Sequence, residues 1–449
     1  MTARAELPVK LVAPTVLGLA LLLGILAGIS PGIAIIAALA IAFVMLAMVD
    51  LTAGVCLFAF LSFLDTLFPS GGLISVPKLL GLLLVISWLA LVTTGSGELR
   101  HRIFSHPGFL GVLALFIGWI ALSAAWAEQP GPALATVARY IPNAMLFLIV
   151  YSSIRTRDQV LFLIGAFVAG ALISAAYGLA APASPEPGAR LSGGVGNANE
   201  TAAALVAGTV LAAALVMVLR RQPLLRLCAL LAVPFCAFGL FLTLSRGGLV
   251  ALAAALVATV VVAGRWRVGM IVVVLLAVGA VVVYFSSFAP AAARERVTTV
   301  QGGTGREDIW KVGWRMVEAE PIRGIGAGNF QTSSIHYLLA PGALARSDFI
   351  VETPKVAHNM YLELLAENGV IGLALFLSIL VFSLGCILSA ATEFRDRGDA
   401  QLEIISRAVF VALVGLLASD FFGSHQFSKQ LWLLLALGPA LLSISRTPA

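Results

Sequence analysis

Arg246 stands in the run TLSRGG, between two apolar stretches. A charge at membrane depth is costly, so a functional reading is the default. Gly247 and Gly248 leave room for a ligand to approach the backbone. The structural alternative is a helix-end arginine reaching up to lipid headgroups. Arg190, in the loop that leads through GNANE to Asn199, is a second candidate contact for a headgroup. His358 and Asn359, in AHNMYLELLAENG, stand at the start of a helix that continues into an apolar stretch. Helical spacing puts His358, Tyr361, Leu362 and Leu365 on one face and Glu363 with Glu367 on another. An imidazole at a helix start near the membrane surface is a candidate general base for a hydroxyl. A lone histidine is more often a structural hydrogen-bonder. His336 and His425 lie outside any recognisable motif, and His101 and His106 fall on the opposite side.

The combination narrows the chemistry. Several arginines, a histidine and glycine-rich turns project to one outer side. Arginine matches polyanionic oxygens by bidentate pairing, so the natural ligand is a phosphate or diphosphate at a membrane surface. No Asp-x-Asp pair occurs in the outer loops, and no His/Asp/Glu cluster has metal-ligand spacing. Cys56, Cys228, Cys236 and Cys386 all sit inside apolar runs. The expectation is therefore a reaction without metal or cofactor. Arginines neutralise the charge that develops as a glycosyl–phosphate bond breaks, and the histidine takes the proton of the attacking hydroxyl. A diphosphate leaves readily, so no general acid is required.

The elements that must hold these residues are membrane helices. Of 449 residues, 60% are apolar and 11% charged, against ~25% charged in a soluble domain. That excludes a soluble enzyme, a disordered chain, a disulfide scaffold and a nucleic-acid-binding module. The net charge of +6 comes from basic residues flanking apolar runs, not from one basic face. Fourteen stretches meet the need for ~20 mostly apolar residues: 11–29, 32–49, 51–67, 77–94, 109–127, 138–152, 159–181, 200–219, 226–244, 247–264, 268–288, 368–391, 404–422 and 429–445. Asp50 alone divides the second from the third, and the sixth is short, so the expectation is an all-α polytopic membrane protein of about 12–14 spans. The first run is too long for a signal-peptide core and is read as a retained span.

Orientation follows from the loops. With the N-terminus inside, the inner segments hold Arg4, Lys10, Arg100, Arg102, Arg155, Arg157, Arg220, Arg221, Arg226, Arg265, Arg267, Arg395, Arg397, Arg407 and Arg446. Short outer loops hold only Lys78, Arg139, Arg190, Arg246 and Lys429. Both termini are therefore expected in the cytoplasm. The chain divides into membrane helices over 1–288, one long outer loop over 289–357 and further membrane helices over 358–449. The loop carries about twice the charge density of the whole chain. Within it, Arg306–Glu320 reads as an amphipathic helix capped by Thr304, with Trp310 and Trp314 on one face and a Glu307–Lys311 pair. Trp opposite Lys/Arg suits a helix lying in the membrane interface. Pro321 ends it, and GIGAGNF (324–330) is a glycine-rich turn. The outer loop 182–199 is likewise rich in Pro and Gly, and no internal repeat is evident.

Four runs in order, TLSRGGLVAL, TGREDIWKVGW, PIRGIGAGNF and AHNMYLELLAENGVIGL, resemble the consecutive motifs of the O-antigen ligase/O-antigen polymerase superfamily. The resemblance covers about 190–391. It implies a GT-C-like glycosyltransferase of the bacterial inner membrane, its active site on the periplasmic face. Such an enzyme moves a glycan from undecaprenyl diphosphate to an acceptor without metal. The arginine after Ser, the arginine opening the loop helix and the histidine at the loop's end correspond to Arg246, Arg306 and His358. By the same resemblance Arg190 is a further diphosphate contact, with Asn199 and Asn359 in support. The variable N-terminal half carries no residues across. The favoured reading is an O-antigen ligase whose acceptor is a sugar hydroxyl of lipid A–core, reacting with inversion. A polymerase, a protein O-oligosaccharyltransferase and, from another class, a lipid-linked glycan transporter are the alternatives. A transporter requires ionisable residues near the bilayer midplane and broken helices in matching halves.

Overall fold

The computed structural model describes residues 20–67, 76–180, 190–289, 294, 306–338 and 355–447, apart from 22, 96 and 105. Most of the expected span 11–29, the proposed cap Thr304 and large parts of the loops 182–199 and 289–357 lie outside these residues. Among the described residues the fold is helical, with no strand. In chain order the helices are α1 (Pro31–Val49), α2 (Leu51–Leu61), α3 (Val76–Thr94), α4 (Glu98–Ile103), α5 (Pro107–Leu122) and α6 (Pro130–Ser153). Then come α7 (Arg157–Ala180), α8 (Ala198–Val218), α9 (Pro223–Leu242), α10 (Arg246–Val262) and α11 (Arg267–Val283). The remainder are α12 (Arg306–Ala319), α13 (Phe330–Leu338), α14 (Met360–Asp396), α15 (Ala400–Ser419) and α16 (Lys429–Arg446).

The polytopic all-α expectation holds. Among the described residues, 9 helices are long and apolar enough to cross a membrane: α3, α5 to α9, α11, α14 and α15, some with a short flanking turn. Apolar stretches in α1, α2 and α10 are shorter. Asp50 separates α1 from α2 because its carboxylate accepts from the backbone N–H groups of Thr52 and Ala53, capping α2. α2 stops at Leu61, and a 3₁₀ turn over Asp65–Leu67 ends the expected span 51–67.

Burial sorts the helices into a centre and a rim. In α16 every residue from Gln430 to Leu442 is buried, against α14 and α6 above all. α11 has no buried residue and packs chiefly along α10 and its own flanking turns. A helix apolar all round is stable in either place, because lipid and protein interior are equally dry.

α14 is broken inside its first third. Gly369 has φ 66° and ψ −173°, a conformation that only glycine adopts readily. Such a break leaves backbone groups unpaired, and within a membrane protein these must be satisfied by protein. The segment after Pro321 does so. Ile325 and Gly326 donate their N–H groups to the carbonyls of Ala366 and Glu367 at 3.0 and 2.9 Å. Val370 donates in turn to the carbonyl of Pro321 at 2.9 Å. Trp119 and Trp126 donate their indole N–H groups to the carbonyls of Asn368 and Gly324. The glycine-rich turn is thus the partner of a broken helix, and its glycines permit backbone-to-backbone approach. A Cβ on Gly369 would lie 2.0 Å from the carbonyl oxygen of Ile322. Gly369→Ala is expected to lower stability by about 3 kcal/mol, read as a fall in the melting temperature of the detergent-solubilised protein. Gly165→Ala, in open space on α7, should not lower it.

Candidate active site

The turn into α10 is built by its side chains. Ser245 is the N-cap: its Oγ accepts from Gly248 N–H and donates to Asn199 Oδ1 at 2.9 Å. Arg190 donates Nη2 to the same Asn199 oxygen at 2.6 Å and Nε to the carbonyl of Thr243 at 2.9 Å. Arg246 is therefore the first residue of α10, exposed, on a turn locked to Arg190 and Asn199. Leu244, just before it, has φ 48°. Only one other non-glycine residue among those described has positive φ, and it is His358 at 49°. Backbone held in this sparsely populated region persists where surrounding bonds over-determine it.

Those bonds are visible at His358. Asn359, the N-cap of α14, accepts from Tyr361 and Leu362 N–H. His358 thus precedes the helix and does not share a helical face with Tyr361, Leu362 and Leu365. The asparagine side chain takes the first-turn donors and so starts the helix after itself. On one side of His358, Ala357 donates N–H to Glu363 Oε2 at 3.1 Å, and its carbonyl accepts from the Trp310 indole at 2.9 Å. On the other, Met360 donates N–H to the carbonyl of Gly423 at 2.9 Å.

Trp310 belongs to α12, which begins at Arg306 as expected. Its buried stripe of Ile309, Val312, Met316 and Val317 packs on protein, chiefly α14 and α13. Trp314 stays 54% exposed, so the two tryptophans do not form one common surface. Lys311 pairs with Asp308 at 3.1 Å, not with Glu307, because Asp308 is buried and a buried carboxylate requires a partner.

Sequence reasoning missed a third contributor, the turn between α15 and α16. Asp420 accepts from or donates to His425 Nδ1 at 2.9 Å. Gln426 donates Nε2 to Glu363 Oε1 at 2.8 Å, and Ser424 donates Oγ to Glu363 Oε2. Glu363, buried at 5% exposure, therefore joins the His358 segment to this turn. Its signal in the sequence is a carboxylate in the first turn of a helix that runs on into an apolar stretch. Glu363→Ala is expected to destabilise the protein by on the order of 3 kcal/mol, because it orphans the buried Ala357 N–H and the Gln426 amide. Glu363→Gln should lose less, and thermal unfolding measures both.

The charges converge. Burial, and then the Arg246 guanidinium, holds Arg306 below the ordinary arginine range. Burial first, then Arg306, His425 and Lys355, pushes the His358 imidazole down to about 4. Burial works against charge on His425 as well, but its hydrogen bond to Asp420 and the nearby carboxylates outweigh this and raise its pKa. Arg190, Asn199, Arg246, Arg306, His358 and Asn359 are thus brought to one end of the bundle. Like charges gathered there make a focus for an anion, with a neutral imidazole alongside.

Residues 231–377 match the family model described as O-antigen ligase. The match covers about a third of the chain and supports the O-antigen ligase/O-antigen polymerase superfamily. No curated protein gives a significant match to the chain. The matched segment runs from within α9 to within α14, so it contains Arg246, Arg306, His358 and Asn359. Arg190 and Asn199 lie before it and are tied to it by hydrogen bonds. O-antigen ligase-family proteins are glycosyltransferase-like enzymes with a lipid-linked glycan substrate.

Proposed function

We propose that the chain is an O-antigen ligase of the bacterial inner membrane, with both termini cytoplasmic and the site at the periplasmic face. Its donor is a polysaccharide on undecaprenyl diphosphate, and its acceptor is a sugar hydroxyl of lipid A–core. The observation that carries this reading is the neutral His358 beside Arg306, which in turn stands beside Arg246. The two guanidiniums hold the diphosphate, and Arg190 with Asn199 fixes the turn that carries Arg246. The acceptor oxygen attacks the anomeric carbon as the bond to the phosphate oxygen breaks. The bonding electrons leave with the diphosphate, and the hydroxyl proton passes to His358. One displacement inverts the anomeric centre. An imidazole titrating near 4 is a weak base, but a bound diphosphate offsets the positive field and raises its proton affinity when needed.

Deleting the gene and separating envelope glycans by size and anchor tests the reading. Full-length polymer stranded on the lipid carrier with bare lipid A–core supports a ligase. Core carrying one repeat unit would make the chain a polymerase, and unglycosylated secreted protein with normal lipopolysaccharide would move the reaction to a protein acceptor. Unchanged envelope glycans would remove the proposal altogether.

A further inference from the structure

The opposite end of the bundle carries a cleft that the proposed reaction does not use. Helices α7, α9 and α15 all start there, since α8 begins at the site with Asn199 and ends at Val218. Their first residues meet the end of α8 around a cleft of about 400 Å³. Arg157, Arg221, Gln222 and Gln401 line it, over an apolar floor of Leu161 and Val218. The N-termini of α7 and α9 add their positive ends to this space, while Asp399 caps that of α15.

Two details set this cleft apart from an ordinary basic rim. Its neighbours at this end are bonded to protein: Arg220 and Arg226 donate to the carbonyls of Met217 and Val216, and Arg265 and Arg407 pair with Glu403. Arg157 and Arg221 carry no hydrogen bond or ion pair to any described residue. Furthermore, Gln401 donates Nε2 to the carbonyl of Val218 at 3.3 Å, while its Oε1 is buried without a partner. The cleft therefore offers two free guanidiniums above apolar side chains, and an unpaired Gln401 acceptor lies just beneath its surface. Asp158 adds a carboxylate to the wall.

We infer that this cleft binds the phosphate of a membrane-lipid headgroup that also carries a hydrogen-bond donor, an amine or a hydroxyl. Arg157 and Arg221 take the phosphate oxygens, the Gln401 amide turns its Oε1 outward to take the donor, and the acyl chains leave along Leu161 and Val218. The same oxygens could come from free phosphate, which lacks the chains and so leaves the apolar floor uncovered.

Native mass spectrometry of the delipidated full chain in detergent tests this. It is titrated with phosphatidylethanolamine, phosphatidylglycerol and phosphatidylcholine of equal chain length, and separately with inorganic phosphate. One retained molecule of the amine or hydroxyl lipid is expected. Its binding should weaken ~10-fold or more in Arg157→Gln/Arg221→Gln, whose changes are confined to exposed side chains. Gln401→Met should keep the lipid but erase the preference over phosphatidylcholine, whose headgroup has no donor. Equal lipid retention by the double-arginine variant would overturn the inference. So would displacement of the lipid by inorganic phosphate at millimolar concentration, which would assign the cleft to a soluble anion.

Discussion

Replacing His358 with alanine is expected to cut glycan transfer by about 10²–10⁴-fold while leaving the amount of folded protein unchanged. The side chain can go without loosening its surroundings, because the bonds that fix this turn are made by others. Ala357 and Met360 hold it through their backbone, and Asn359 caps α14. His358→Asn is the sharper version, since asparagine tolerates a φ of 49° better than alanine. Transfer from a purified lipid-linked donor, measured beside the melting temperature, separates chemistry from folding. An asparagine variant that transfers at the normal rate would end the role proposed for the imidazole.

Arg306 carries the second large effect. Arg306→Ala should lower kcat/KM by about 10²–10³-fold, the loss expected when a preorganised donor to a developing anion is removed. It should also change the shape of the pH profile. The base works when neutral, so kcat/KM falls as pH drops through the free enzyme's His358 pKa, about 4. Without the Arg306 charge that acid limb moves upward. Burial, the larger cause, remains, so the limb stops short of the ordinary 6.5. Arg306→Lys keeps a cation and should keep the limb low even where it loses rate. Acid limbs that coincide in wild type and Arg306→Ala would contradict the contact inferred between these two groups.

Much of this was legible in the chain itself, and the reason differs from residue to residue. Spans are written as long apolar runs, since a bilayer tolerates little else. Arg246 and Arg306 stand out because each is charged at the edge of such a run or opens the loop helix. His425 and Asp420 carry no comparable signal. They reach His358 only through the fold, from the turn between α15 and α16, and no spacing rule connects positions that far apart. The glycine-rich turn was visible as a turn, but its purpose depends on Gly369, which local sequence does not mark as a break. Asn359 carries a local signal of its own: a preferred capping residue, it sets the helix start after itself and leaves His358 off the helical face.

The burial of α16 bears on how the molecule is made. Ribosomes release this helix after every helix it packs against, yet it occupies the middle of the bundle, with Gln430–Leu442 enclosed. The earlier helices must therefore enter the membrane as an open arrangement with a slot left for the latecomer. The turn carrying Asp420, Ser424, His425 and Gln426 is anchored at one end by that same helix: Trp432 of α16 donates its indole N–H to the carbonyl of Gln426 at 2.9 Å. Until α16 seats itself, Glu363 lacks its partners in that turn. Assembly of the bundle and the seating of the buried Glu363 carboxylate are then a single event.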